Sequence, residues 1–193
     1  MRLFGSLYHW TVRWAGHPRA PWVLGALSAA ESSFFPVPPD VLLAPMSLAQ
    51  PQRAVWFALI ATVTSVLGGL LGYALGAFAL QLIEPWLQAG GYQQAYTTAS
   101  TWFQAWGFWV VLVAGFSPIP YKVFTLAAGA SGVALLPFVL ASLLGRGARF
   151  FLVAVLVSWG GPRMEPWLLR YIERIGWISV LLLLLGVLWF NYG

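Results

Sequence analysis

Five ionisable side chains stand inside otherwise apolar stretches of this chain: Glu31, Asp40, Lys122, Arg146 and Arg149. Charges in such surroundings are costly, about 2.5–3.5 kcal/mol each on insertion scales, and they mark function by default. Glu31 and Asp40 read as carboxyl groups that can load and release protons. Arg146 and Arg149 are three positions apart and so neighbours on one helix face. Two guanidinium groups facing a cavity can hold a phosphate bidentately, and Lys122 is a third cation for the same ligand. The structural alternatives are that Asp40 pairs with Lys122 and pins two segments together, or that the arginines snorkel to the nearer interface.

Catalytic constellations are absent from the sequence. Serines 32, 33, 65, 117, 131 and 142 lie in apolar stretches, but no histidine follows His17 to serve as a base. There is no Ser–His–Asp order, no H-E-x-x-H or paired metal ligands, and no phosphate-cradling glycine loop with its lysine. The expectation is a protein that is not an enzyme and that has no catalytic residue, metal or cofactor.

The elements that must position these charges follow from composition. Of 193 residues, 60% are hydrophobic and 8% charged, against about 25% charged in soluble domains. A mean hydropathy of +0.79 agrees, and a soluble enzyme is excluded in favour of a multi-pass membrane protein. Without cysteine there are no disulfides or thiolate sites. The net charge of +5 is spread too thinly for nucleic acid; it suits membrane orientation and anionic headgroups. Tryptophan-rich stretches at 102–109 and 159–177 fit interfacial belts.

Ala54–Ile83 contains no charge and lies between Arg53 and Glu84, which makes it the clearest transmembrane helix. Gly68, Gly72 and Gly76 form a stripe on it suited to close helix packing. Residues 20–49 hold Pro21, Pro36, Pro38, Pro39 and Pro45, and residues 107–134 hold Pro118 and Pro120. Proline breaks a helix, and broken backbone at membrane depth survives only within protein or beside water. Both stretches therefore read as re-entrant helical hairpins that turn at their prolines.

Residues 135–159 form a second transmembrane helix, 161–175 a basic connector and 176–192 a last span. Residues 1–19, interrupted by arginine and histidine, carry no signal peptide and read as an interfacial amphipathic helix. The connector 84–106 holds no Lys or Arg, so the positive-inside rule puts the N-terminus, Arg53 and 161–175 in the cytoplasm.

Laid without a gap, Phe34–Val41 and Phe116–Val123 read F-F-P-V-P-P-D-V against F-S-P-I-P-Y-K-V. Asp40 then matches Lys122. One membrane crossing between the two hairpins makes them enter from opposite faces, the pattern of an inverted repeat with a site near the membrane midplane. The expected fold is an all-α membrane protein: two inverted repeats, each a proline-broken hairpin plus a transmembrane helix, over residues 20–160.

Residues 20–160 resemble the DedA family, also described by the VTT or SNARE-associated domain. The resemblance rests on Glu31 with P-x-P-P-D at Pro36–Asp40, and on F-S-P-I-P-Y-K-V-F-T-L-A-A-G-A-S at Phe116–Ser131. It implies two opposed hairpins and movement of lipid across the bilayer. For a bacterial protein it implies recycling of undecaprenyl phosphate in the cytoplasmic (inner) membrane with proton coupling; eukaryotic relatives are scramblases. The usual G-R-F-x-P-G-x-R motif is not kept, since Gly115 and Tyr121 stand where its arginines would be and Lys122 is one place late. The wording is closer to a YqaA-like branch, whose arginines lie on the following helix; here that stretch is L-G-R-G-A-R-F-F, with Arg146 and Arg149.

The functional expectation is a flippase for undecaprenyl phosphate or a related lipid phosphate, its headgroup on Arg146, Arg149 and Lys122 and its tail left in the bilayer. A non-selective phospholipid scramblase and a scaffold for envelope or division proteins are the alternatives. Expected partners are membrane lipids and a coupling proton, not nucleic acid; whether the chain forms a homo-oligomer is open.

Overall fold

The computed structural model describes residues 17–33, 37–89, 93–117 and 120–160. The interfacial helix expected before residue 17, the connector and last span after 160, and Pro36 and Pro118 all lie outside these residues.

All regular structure among the described residues is helical. In chain order the helices are α1 (Ala20–Ser33), α2 (Asp40–Ala49), α3 (Ala54–Ala89), α4 (Gln93–Phe116), α5 (Tyr121–Ala130) and α6 (Leu135–Gly160), with a 3-10 turn at Pro51–Arg53 between α2 and α3. At 1.5 Å per residue, the ten residues of α2 and of α5 cover about 15 Å, half of the ~30 Å hydrocarbon core. Among the described residues, three segments are long and apolar enough to cross: Pro51–Leu82, Tyr96–Phe116 and Leu135–Gly160.

Prolines set the starts of the short helices. Pro39 and Pro120 occupy the N-cap positions of α2 and α5, where a missing N–H costs nothing. The second long segment begins earlier than its hydropathy suggests. Residues 84–106 read as a connector, but α3 continues to Ala89 and α4 starts at Gln93 and runs unbroken to Phe116. Its first half is rich in Gln, Thr and Tyr, which lowers mean hydropathy to 1.2 in its best window, against 2.0 in the α3 segment.

Those polar residues have structural work. Tyr96, Ser100 and Gln104 recur every fourth residue, on one face of α4. Tyr96 donates to the Ala130 carbonyl at 2.5 Å, and Ser100 and Gln104 donate to the Ser131 carbonyl at 3.1 and 2.8 Å. The carbonyls that α5 leaves open at its C-terminus are thus satisfied by α4. Gly132, at φ +66°, makes the left-handed turn there that L side chains resist.

The α3 glycine stripe is a packing device. A Cβ on Gly68 would lie 2.1 Å from the Ala29 carbonyl oxygen of α1, and one on Gly76 would lie 2.0 Å from that of Leu126 on α5. Gly129 of α5 returns the contact, its absent Cβ 1.9 Å from the Tyr73 carbonyl oxygen. Helix α3 therefore seats both α1 and α5 at backbone contact, the close approach that drives association in lipid. Helix α6 seats α4 in the same manner, through Gly145 against the Leu112 carbonyl at 2.4 Å. Helix α2 lies between α3 and α6, its Leu43 and Met46 in one core with Phe57 and Phe150. A second core gathers Val111, Tyr121, Phe138 and Ala141. Leu67, Leu71, Leu75 and Leu82 point outward from α3, as a lipid-facing ridge requires.

Candidate functional site

Four of the five singled-out charges meet in two pairs on successive faces of α6. Arg146 is 2% exposed. Its Nη2 donates to Glu31 Oε2 on α1, and its Nε donates to Ser65 Oγ on α3 at 2.7 Å. Ser65 shares a 2.7 Å hydrogen bond with Ser32, which also donates to Glu31 at 3.3 Å. The guanidinium carbon lies 5.0 Å from the Tyr121 ring centre and 4.6 Å from that of Phe150, within cation–π range. Tyr121 donates in turn to Ser142, whose hydroxyl donates to the Phe138 carbonyl at 2.6 Å. Snorkelling is excluded for Arg146: its charge is held by groups from α1, α3, α5 and its own helix.

Arg149 is in a different situation. Its Nη2 donates to Asp40 Oδ2 at 2.6 Å and its Nη1 to the Ser117 carbonyl at 2.6 Å. The two side chains keep 20% and 24% of their surface accessible. Asp40 opens α2, and Ser117 follows the last residue of α4. One guanidinium therefore ties the proline break before α2 to the break before α5. The other Asp40 oxygen, Oδ1, is buried and has no hydrogen-bond partner among the described residues.

The sequence pairs Asp40 with Lys122 as one alternative; in the structure the Asp40 carboxylate is held by Arg149. Lys122 lies on the first turn of α5, half-buried, and its carbonyl accepts from Thr125 at 2.9 Å. Pro39 is buried, while Pro38 and Pro120 are exposed at the breaks. Sequence reasoning missed the roles of Ser32, Ser65 and Tyr121. A serine inside the longest apolar helix, facing another serine 33 residues away, is a usable signal only once α1 is known to lie on α3. No group of three or more His, Cys, Asp or Glu side chains able to hold a metal occurs among the described residues.

This geometry spans the region that comparison with known proteins identifies. Residues 37–159 match the VTT domain. The chain belongs to the VTT-domain, or DedA, family. With three membrane-length helices among its described residues, it is an integral membrane protein. It is similar to an uncharacterized protein of Haemophilus influenzae, 47% identical over 182 residues that cover 94% of this chain and 95% of the relative. An uncharacterized protein of Histophilus somni is similar to the same degree, 47% over the same coverage of both chains. No solved structure matches. Asp40, Lys122, Arg146 and Arg149 fall inside the VTT domain match, whereas Glu31 precedes it.

Proposed function

We propose that this VTT-domain protein is a flippase for a lipid phosphate, undecaprenyl phosphate or a close relative, driven by proton exchange at Asp40. The observation that carries the reading is the contrast between the two ion pairs. Arg146 is buried and is held by Glu31, Ser65 and the rings of Tyr121 and Phe150. Arg149 is accessible, lies where two helix breaks meet, and is neutralised by a carboxylate with a spare oxygen. A phosphate monoester offers the same fork of oxygens as that carboxylate. Protonation of Asp40 would remove the competing anion and free Arg149 for the headgroup. Arg149 is then the substrate-facing cation, Lys122 of α5 is a further cation for the headgroup, and Arg146 with Glu31 holds the helices that frame the site.

The packing supports an inverted-repeat architecture for this transporter. Each proline break joins a helix to a short one, α1 to α2 and α4 to α5. The short helix then packs on the long helix of the other half: α2 against α6 and α5 against α3. Two half-crossing helices leaning on opposite halves form the setting in which a midplane site alternates its access. The orientation read from charge puts the N-terminus in the cytoplasm, with the cytoplasmic membrane as the location.

The test is reconstitution in liposomes with labelled undecaprenyl phosphate. Wild-type protein is expected to move it, faster with an imposed proton gradient, and Arg149→Ala to abolish movement. Movement of phospholipid at equal rate with the gradient collapsed would make the protein a scramblase instead.

A further inference from the structure

Helices α2 and α5 have the same length and each starts at a proline break, but the bundle holds them by different means. Helix α5 is fixed through backbone and side chains alike. Its Leu126 and Gly129 meet Gly76 and Tyr73 of α3 at backbone contact. Tyr121 donates to Ser142 of α6, Thr125 donates to the Ser32 carbonyl of α1 at 3.4 Å, and Tyr96 of α4 caps the Ala130 carbonyl. Just beyond α5, Tyr73 of α3 donates to the Val133 carbonyl at 2.6 Å.

Helix α2 is held otherwise. It contains no glycine, and none of the close glycine contacts among the described residues involves it. Its polar side chains are Asp40 and Ser47. Ser47 is fully buried, yet its hydroxyl has no hydrogen-bond partner among the described residues. Asp40 bonds to Arg149 through Oδ2 alone. The rest of the α2 contact is apolar, with Leu43 and Met46 in one core with Phe57 and Phe150. In lipid such contacts count for little, because the acyl chains that would replace them are equally apolar; close backbone packing and hydrogen bonds hold helices together instead. Inside α2, Pro45 supplies no N–H to the Val41 carbonyl. Past its end, Gln50 leaves helical geometry at φ −133° and ψ 72°.

We propose that α2 is the moving element of the transport cycle, latched by the Asp40–Arg149 pair and hinged at Gln50, while α5 stays fixed on α3 and α4. The proposal rests on the transport reading and names the element that opens. Both events in that reading, a proton on Asp40 and a phosphate on Arg149, break the same bond, so either one frees α2. The two half-crossing helices, alike in sequence pattern, are then unequal in action: one is a gate and the other a wall.

Cysteine is absent from the chain, so Ser47→Cys places a single thiol on α2 where the hydroxyl it replaces has no partner. Reaction of that thiol with N-ethylmaleimide, in nanodiscs of zwitterionic lipid, reads the opening of α2; amide hydrogen exchange of residues 121–130 reads α5. With Asp40→Asn added, and separately with Arg149→Ala, the thiol is expected to react about fivefold faster or more, the shift that loss of a partly exposed ion pair gives an opening equilibrium. Exchange in α5 is expected to stay unchanged. A thiol rate unaltered by both substitutions overturns the latch. So does exchange in α5 that rises together with the thiol rate, since the whole bundle then loosens. Transport separates the latch from the reading beneath it. If wild-type protein moves no labelled undecaprenyl phosphate but the thiol rate still rises, the substrate falls and the latch stands. If Arg149→Ala abolishes transport at an unchanged thiol rate, the latch falls and the substrate stands.

Discussion

Arg149 Nη2 lies 2.6 Å from Asp40 Oδ2, joining residues 109 positions apart across the two proline breaks. The pair keeps 20% and 24% of its side-chain surface accessible, against 2% and 13% for its neighbour Arg146–Glu31. Two arginines three residues apart in sequence thus occupy different physical settings, and the predictions follow from that difference.

Removing one partner from the accessible pair should cost transport rather than folding. Arg149→Ala is expected to abolish transport of lipid phosphate while lowering stability by about 1 kcal/mol, the scale of a partly exposed ion pair. Arg149→Lys keeps the charge but loses the fork and should retain a small fraction of the rate. Initial transport rates with melting curves in detergent check both.

The sealed pair should behave in the opposite way. Arg146→Leu strands Glu31 in an apolar setting and is expected to destabilise by about 3–5 kcal/mol. The double variant with Glu31→Leu removes both charges and should recover a large part of that loss. A double-mutant cycle on melting or detergent-unfolding free energies measures the recovery; a double variant no more stable than Arg146→Leu alone refutes the assignment.

Tyr121 should matter for its ring more than for its hydroxyl. Tyr121→Phe keeps the face against Arg146 and leaves Ser142 bonded to the Phe138 carbonyl, so stability should change by less than about 1 kcal/mol. Tyr121→Leu loses the cation–π contact and leaves a poorly filled core, and should cost about 2–4 kcal/mol. The order of melting temperatures, wild type near Phe and well above Leu, is the check.

The glycine contacts give a prediction independent of charge. Gly129→Ala puts a methyl group 1.9 Å from a carbonyl oxygen of α3, and backbone cannot yield as a side-chain end can. Separation of α5 from α3 should cost about 1–3 kcal/mol. Gly147→Ala is the control: its Cβ would meet Thr62 at 3.6 Å, an ordinary contact, and should be neutral or mildly stabilising, since alanine favours helix over glycine.

Much of this was legible before any coordinates. Scarce charge and long apolar runs announce spanning helices because lipid admits no unpaired backbone, and Pro38, Pro39 and Pro120 stand at the two breaks, whereas Pro21 and Pro45 of the same reading lie inside α1 and α2. The glycine spacing at 68, 72 and 76 also reads correctly as a packing face. Helix α4 was half hidden, because Tyr96, Ser100 and Gln104 lower its hydropathy while capping α5, a task that exists only once α5 is docked.

Pairing was not legible at all. Residue types single out Glu31, Asp40, Arg146 and Arg149 as charges that need partners, since each is costly alone in an apolar stretch. Which carboxylate meets which arginine depends on α6 packing against α2 and α3 while α1 is seated on α3, and on the hundred-degree turn per residue that sends Arg146 inward and Arg149 to the break. Local sequence determines helix, break and burden of charge, because these are set within a few turns of chain. Partner and exposure are set by helices meeting from distant parts of the chain, and only the tertiary structure decides them.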